Sequence, residues 1–569
     1  MRKLFLSVTV FGALVLAVGV VAASAYFNGF ETNVAGWFTA GGTITQVPSN
    51  DTSTLYANGV AASAGSYYAR LGIDPAPTTC ASGGGPQSVH SGPYTNWGGV
   101  SSAFPDGGFS TAVDIYLDVP YAIANPDTRF DWDSAISNTS GQYHRGFVFN
   151  VGTDANGFVI TGGNNATRCG ADPYSTDPSH APKLSITQSG WYTFRHTFTN
   201  VGGQLSVKME LIQLPSNTVM GTWTRSDPTD TIATGGTVGG NNVGSFDQNE
   251  FPGLAIDNSR TCTSTGFVRD GINMTAAQIG GNVTGDLNAT GCNIGVYYDS
   301  THTGNVTNAN IHDVDYFGVV VNGDNGTVKV NVTGSSIHNI GETPLNGTQH
   351  GTAIYYRALG SGTASGTIST NTLTNYQKGG ITVNGNVSAT ITNNTVTGRG
   401  AVSYIAQNGI QVGYGAKATV TGNTVTGNAY SGSNLASSAG ILVVGGPCFG
   451  TGLAYTVGLD ISKNTLTNND VGVWLFNANE SCSAATTKAN NSVKFNTISN
   501  AAVTNTTGYG ASCGYQAGVS DVGTKDLIVN NSISGFGYTK QVGDCNGTSH
   551  AFLRFVDPGS SARGVPSNK

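Results

Sequence analysis

Charge is what this sequence has least of. Its 25 Lys and Arg and 32 Asp and Glu make up only 10% of 569 residues, and no basic cluster stands among them. Without such a cluster a row of phosphates cannot be neutralised, which excludes nucleic acid as a partner. The net charge of −7 is a solubility feature rather than a partner signal. No C-x-x-C pair and no Cys/His group at zinc spacing occurs, so a metal site is the weaker reading of the eight cysteines. Long apolar runs are also missing after the first. That one, Leu4 to Val21, follows Arg2 and Lys3 and precedes Ala23-Ser24-Ala25. The pattern is that of a secretory signal peptide over residues 1–25 with an A-x-A cleavage site. An uncleaved anchor is the rival reading; the small residues at the cleavage position favour removal. The expectation is a secreted, extracellular chain that starts near Tyr26 and does not associate with a membrane after cleavage.

What the sequence has instead is 81 Gly, with many Asn, Thr and β-branched residues. This composition calls for short strands and tight turns. In a secreted chain eight Cys imply disulfides. The simplest pairing is sequential: Cys80–Cys169, Cys262–Cys292, Cys448–Cys482 and Cys513–Cys545.

Over residues 26–260 the segments YYARLGI, FSTAVDIYLDV, GFVFNVG, GFVITGG, GWYTFRHTF and LSVKMELIQL alternate apolar and polar residues between Gly, Pro and Asn turns. Period-two alternation of this kind predicts an antiparallel β-sandwich. Trp37, Trp97, Trp132, Trp191 and Tyr192 are candidates to stack on sugar rings, with core packing as the alternative. Asp131 and Asp133 offer a calcium site, with two solvated acids as the plainer reading. GFETNVAGW and SGWYTFRHTF…GGQLSVKMEL resemble concanavalin-like sandwich domains, which implies a carbohydrate-binding accessory module.

Residues 261–569 carry a ladder of near-copies: VTNANI, VTGSSI, ISTNTL, ITNNTV, VTGNTV, ISKNTL, VKFNTI and IVNNSI. Each holds two aliphatics five residues apart, and from the third copy Asn371, Asn394, Asn423, Asn464, Asn496 and Asn531 occupy one column. A second strand, with small residues before its aliphatics, precedes each rung. A short motif repeated in one chain direction at a variable longer period predicts a right-handed parallel β-helix with insertions at its corners. The Asn column reads as scaffold, because Asn tolerates left-handed backbone and its amides can bond one another from coil to coil. The fold class expected is therefore all-β: an N-terminal antiparallel β-sandwich followed by a right-handed parallel β-helix.

This half of the chain resembles the pectin-lyase-like β-helix superfamily. In CNIGVYYD, GTQHGTAIYY, NYQKGGI and AQNGIQVGYGA it resembles secreted bacterial β-helix proteins. The resemblance implies an extracellular carbohydrate-active protein. Of the polygalacturonase pattern only His350-Gly351 is present; the pectate-lyase W-x-D-H, the epimerase Asp-Pro-His-Glu and glycine-rich calcium repeats are absent.

Alternation places Val296, Val319, Ile354, Ile381, Ile410, Ile441 and Val473 inward, so Tyr297, Tyr355, Gln411 and Trp474 face out, with Asp299, Arg357 and Asn384 two residues further on. Asp315, His350, Gln377, Lys378 and Gln407 lie at the coil corner just before these strands. Stacked coils bring these residues to one face, where β-elimination needs a cation for the substrate carboxylate and a base for the α-proton. Arg357 is the candidate cation, and His350, Tyr355 or Lys378 the candidate base or acid. Tyr297, Asp299, Asp315, Gln377, Asn384, Gln407, Gln411 and Trp474 are candidate substrate contacts. The partner expected is an acidic polysaccharide or cell-surface glycan, bound at this face and, on the sharper reading, cleaved there by β-elimination. Binding without turnover, or a non-enzymatic surface or matrix role, stays open beside it.

Overall fold

The computed structural model describes residues 26–74, 92–165, 182–232, 235–433, 436–505, 516–523, 525–538, 550–555 and 561–563. The expected signal segment and the pairs Cys80–Cys169 and Cys513–Cys545 lie outside the described residues.

Alternation buries one side of each N-terminal strand, and two antiparallel sheets close over the result. One runs in space through Leu184–Ile186, Gly157–Asn165, Tyr143–Asp154, Arg129–Asn138, Val238–Asp247, Pro93–Thr95 and Trp37–Thr39. The other runs through Thr218–Thr231, Gln204–Gln213, Gly190–Val201, Phe109–Leu117, Leu254–Arg269, Tyr67–Leu71 and Ile44–Pro48. Phe149 of the first sheet meets Phe194 of the second edge-on, with centroids 5.1 Å apart. Trp37, Trp97, Trp132 and Tyr192 are buried in this core. Trp191 is half-buried and donates its indole N–H to the Ala61 carbonyl at 2.9 Å. The large aromatics went where burial stabilises most, so four of the five sugar-stacking candidates are packing residues. Asp131 is likewise taken up, by Arg129 at 3.1 Å and by the Asn150 amide at 2.9 Å, and Asp133 is buried.

The strand Leu254–Arg269 runs straight through residue 260. Its first half pairs with Tyr67–Leu71 and Phe109–Leu117; its second half turns back antiparallel on Ile272–Ile279. Ile272–Ile279 then pairs in parallel with Ile294–Tyr298, the beginning of a stack of parallel strands. Along that stack Val296, Val319, Ile354, Ile381, Ile410, Ile441 and Val473 are successive register partners, each fully buried. The rung supplies the other two walls. Its first aliphatics, Ile368, Ile391, Val420, Ile461, Val493 and Ile528, stack on one. Its second aliphatics, Leu373, Val396, Val425, Leu466, Ile498 and Ile533, stack on the next. This is a right-handed parallel β-helix built coil on coil.

Between the two aliphatics sits the Asn column. Asn371 donates from Nδ2 to Asn394 Oδ1, Asn394 to Asn423, Asn423 to Asn464, Asn464 to Asn496 and Asn496 to Asn531, all at 2.9–3.0 Å. The left-handed backbone expected of these Asn belongs instead to the residue before each: Thr370, Asn393, Gly422, Lys463, Phe495 and Asn530 have φ from 54° to 70°. The Asn itself is selected for its amide.

Among the described residues two disulfides brace the helix. Cys262–Cys292 ties the connecting strand to the first coils, and Cys448–Cys482 ties two corner insertions together. Among the described residues no helix is long and apolar enough to cross a membrane.

Candidate functional site

The outward row has the expected register: Tyr297, Val320, Tyr355, Thr382, Gln411, Leu442 and Trp474 are successive partners. Its two ends differ. Over the first coils the Leu254–Ile279 hairpin curls across the face. Phe267 stacks on Tyr297 with centroids 6.1 Å apart, and the Arg357 guanidinium lies 4.9 Å from the Phe267 ring. Arg357 also pairs with Asp324 at 2.6 Å. Tyr297 accepts from Asn322 Nδ2 at 3.0 Å, and burial pushes its phenol up to about 12. Tyr355 is 5% exposed against Phe317. Asp299, beyond this packing, is folded back on the Thr301 and His302 backbone N–H groups at 2.8 Å. Tyr297, Tyr355 and Arg357 thus hold a small aromatic core together rather than an open face.

At the corner, His350 is 2% exposed. Its ring lies on Tyr316 with centroids 3.7 Å apart, Nε2 is 3.0 Å from Glu342 and 2.8 Å from Thr348 Oγ1, and Nδ1 is 3.4 Å from Asp270. Gln377 and Gln407 are fully buried. Gln377 accepts the Glu342 N–H at 3.1 Å and donates to Asn346 Oδ1 and the Thr348 carbonyl, pinning the loop between Glu342 and His350. Gln407 donates to the Tyr376 carbonyl at 2.8 Å and accepts the Arg399 N–H at 2.9 Å. A coil corner leaves backbone groups without sheet partners, and an inward amide satisfies them. Neither glutamine reaches a surface, so the substrate-contact role expected of them gives way to a structural one.

Further along, the face opens. Lys378, Tyr404, Asn408, Leu442, Phe449, Trp474 and Phe476 line a cleft of about 480 Å³, with Gly347 and Gln349 on its rim. Trp474 and Phe476 are nearly parallel, their centroids 5.2 Å apart, and Phe449 meets Phe476 edge-on. Lys378 donates to the Ala406 carbonyl at 2.7 Å, and loss of hydration pushes its ammonium down to about 8. It is the one charged residue among the described lining residues. The Tyr404 hydroxyl has no hydrogen-bond partner among the described residues. Beside the cleft, Gln411 donates to Asn384 Oδ1 at 3.1 Å. Phe476 was legible in the sequence, since it stands two residues after the outward Trp474. Phe449 and Tyr404 come from corner insertions that no periodicity marks. The four residues expected to catalyse elimination do not meet in one groove: Lys378 lines this cleft, His350 and Tyr355 are buried, and Arg357 is paired.

A second cleft, of about 490 Å³, lies between sandwich and helix, lined by Asp114, Arg195, Arg260, Asp315, Tyr316, Glu342 and their neighbours. Arg260 pairs with Asp114 at 3.1 Å. Burial pushes the Asp315 carboxyl up to about 6, against the pull of Arg260 and Arg195. Burial raises Glu342 as well, but hydrogen bonds from Thr348, Asn346 and His350 together hold it below the usual carboxylate range. One loop divides the clefts: Glu342, Thr343, Pro344 and Asn346 face this one, and Gly347 and Gln349 the other.

Residues 253–448 match the family described as right handed beta helix region. No curated protein matches the chain. Among solved structures the chain is similar to tailspike protein 3 of bacteriophage CBA120, at 11% identity and a TM-score of 0.20. That match covers 51% of this chain and 56% of the tailspike chain, little over half its length. It is also similar to the catalytic domain of a GH87 alpha-1,3-glucanase in complex with nigerose, at 11% identity and a TM-score of 0.16, covering 96% of this chain and 99% of that one.

Proposed function

We propose that the protein works outside the cell by binding an acidic polysaccharide along the outer face of the β-helix, in the cleft around Trp474, Phe476 and Lys378. The observation that carries this reading is the composition of that cleft: parallel aromatic rings, an unpaired tyrosine hydroxyl and a single cation. Aromatic rings take the C–H faces of sugars, the hydroxyl offers a hydrogen bond, and a half-dehydrated ammonium selects a uronate over a neutral sugar. Binding without β-elimination is favoured at this face. Elimination needs a cation and a base converging on one α-proton, and Arg357 and His350 are committed elsewhere. The sandwich is an accessory module to this helix.

The test is affinity for uronic and neutral polysaccharides, with absorbance at the unsaturated-product band followed in parallel. Trp474→Ala is expected to weaken all binding about tenfold, the loss of one stacking contact. Lys378→Met is expected to weaken only the uronic ligands, and binding of these by the unaltered protein to decline as pH rises through about 8, where Lys378 loses its charge. Equal affinity for charged and neutral glycans refutes the role of Lys378. Release of unsaturated product restores elimination.

A further inference from the structure

We infer that the cleft between sandwich and helix hydrolyses glycosidic bonds, with Asp315 as general acid and Glu342 as the base that activates water. This goes beyond the binding role of the outer face and does not rest on it.

The two carboxyls are placed by the coil register. Asp315 follows Val314 and Glu342 follows Ile340 by two residues, and Val314 and Ile340 are parallel register partners. They therefore stand on adjacent coils, about 5 Å apart along the axis, and both line the same cavity. Their surroundings push them in opposite directions. Asp315 has no side-chain hydrogen-bond partner among the described residues, and burial favours its neutral form. Glu342 accepts from Thr348 Oγ1 at 2.6 Å and lies 3.0 Å from His350 Nε2, contacts that favour its anion. Two carboxyls at one cavity, one that keeps its proton up to about pH 6 and one that is held ionised, divide into acid and base. His350 is a positioning residue: stacked on Tyr316 and braced by Asp270, it fixes Glu342 and touches no substrate. Arg260 stands in the same wall, 7% exposed; its guanidinium pairs with Asp114 and the Asn258 carbonyl, and its Nε packs against Gly291, where a Cβ would come within 2.4 Å of it. The volume of about 490 Å³ falls within the range of small-molecule sites.

In the reaction Asp315 gives its proton to the glycosidic oxygen as that oxygen's bond to the anomeric carbon breaks. The oxygen of a water bonds to the anomeric carbon and its proton passes to Glu342. The products are a hemiacetal and an alcohol, and solvent carries the proton from Glu342 back to Asp315.

The experiment incubates the full chain with neutral, uronic and amino-sugar polysaccharides and their short oligosaccharides, and measures new reducing ends. Asp315→Asn and Glu342→Gln are each expected to lower the rate roughly a hundredfold or more in chains that still unfold cooperatively. Activity of the unaltered protein is expected to fall as pH rises through about 6, where Asp315 loses its proton. That profile tests the assignment even where a variant does not fold. His350→Gln is expected to shift the acidic limb of the profile upward, because Glu342 loses a donor that keeps it ionised; a purely structural role would leave the limb in place. Trp474→Ala is expected to leave hydrolysis of short oligosaccharides intact, which separates this site from the outer face. Absence of reducing ends across the panel, full activity in Asp315→Asn, or a flat profile through pH 6 overturns the inference.

Discussion

At the scale of single residues, the Asn column shows how one side chain can fix a coil register. Asn423 accepts both the backbone N–H and Nδ2 of Asn394, and donates to Asn464 Oδ1 and to the Ile391 carbonyl, all at 2.9–3.0 Å. Removing it leaves several buried polar groups unpaired. Asn423→Ala is therefore expected to cost about 3 kcal/mol, read as a lowered midpoint in denaturant unfolding. Asn423→Asp isolates the donor. Aspartate keeps an acceptor for Asn394 but cannot donate to Asn464 or to the Ile391 carbonyl, so the amide stack predicts a loss at least as large as for alanine. A silent Asn423→Asp would show that the amide N–H groups do not hold the column. The sequence marked the column through its spacing, but it could not assign the left-handed position, because Lys463 and Phe495 adopt it with no residue-type signal. Gln377 and Gln407 follow a related logic: polarity that reads as surface chemistry in the sequence is drawn inward where a corner leaves backbone groups unpaired.

At the scale of elements, periodicity made the helix legible and insertions hid the sites. The small residues before each inward aliphatic have a steric cause: a Cβ on Gly380 would lie 2.4 Å from Val396 Cγ1, and one on Gly472 2.4 Å from Ile498 Cγ2. The strand must pass that close to the rung beneath it. The covering hairpin, by contrast, was invisible, because nothing local says that Phe267 will lie on Tyr297 and on Arg357 two strands further along the stack. The loop between Glu342 and His350 and the insertion bearing Phe449 are equally aperiodic, and they form the walls of both clefts. Cys448–Cys482 spans 34 residues between two such insertions. Its removal by the paired change Cys448→Ser and Cys482→Ser is expected to cost about 3–4 kcal/mol through the freed chain. Because Phe449 follows Cys448 and packs edge-on against Phe476, glycan affinity at the outer face should fall as well, by about the same tenfold as for Trp474→Ala. Stability loss with unchanged affinity would mean that Phe449 keeps its place without the staple.

At the scale of the whole molecule, low charge content makes each buried ionisable group count in the pH dependence of stability. Burial pushes Asp131 and Asp315 up to about 6 and Asp470 up to about 7, from an ordinary value of 3.8. In the range between, the folded chain holds protons that the unfolded chain has released, so stability falls as pH rises from about 4 to about 7. His196 works the other way: burial pushes it down to about 3, so its contribution rises with pH until about 6.5, one group against five, since burial raises Asp257 and Asp526 as well. Carboxylates held low, Glu342 and Asp299 among them, lose their contribution only as pH falls below about 4. The melting temperature should therefore be higher near pH 5 than at pH 8. Asp470 tests the account at one position. It is fully buried, and one of its oxygens accepts the Tyr430 and Ser438 N–H groups at 2.9 Å and Asn505 Nδ2 at 3.1 Å, while the other meets Thr504 Oγ1 at 3.1 Å. In Asp470→Asn the amide oxygen can keep the three donors and the amide nitrogen can donate to Thr504, without any charge. The variant should melt higher than the unaltered protein at pH 8 and close to it at pH 5, flattening the slope. An equal loss at both values would mean that Asp470 is ionised in the folded chain and that its burial does not drive the pH dependence.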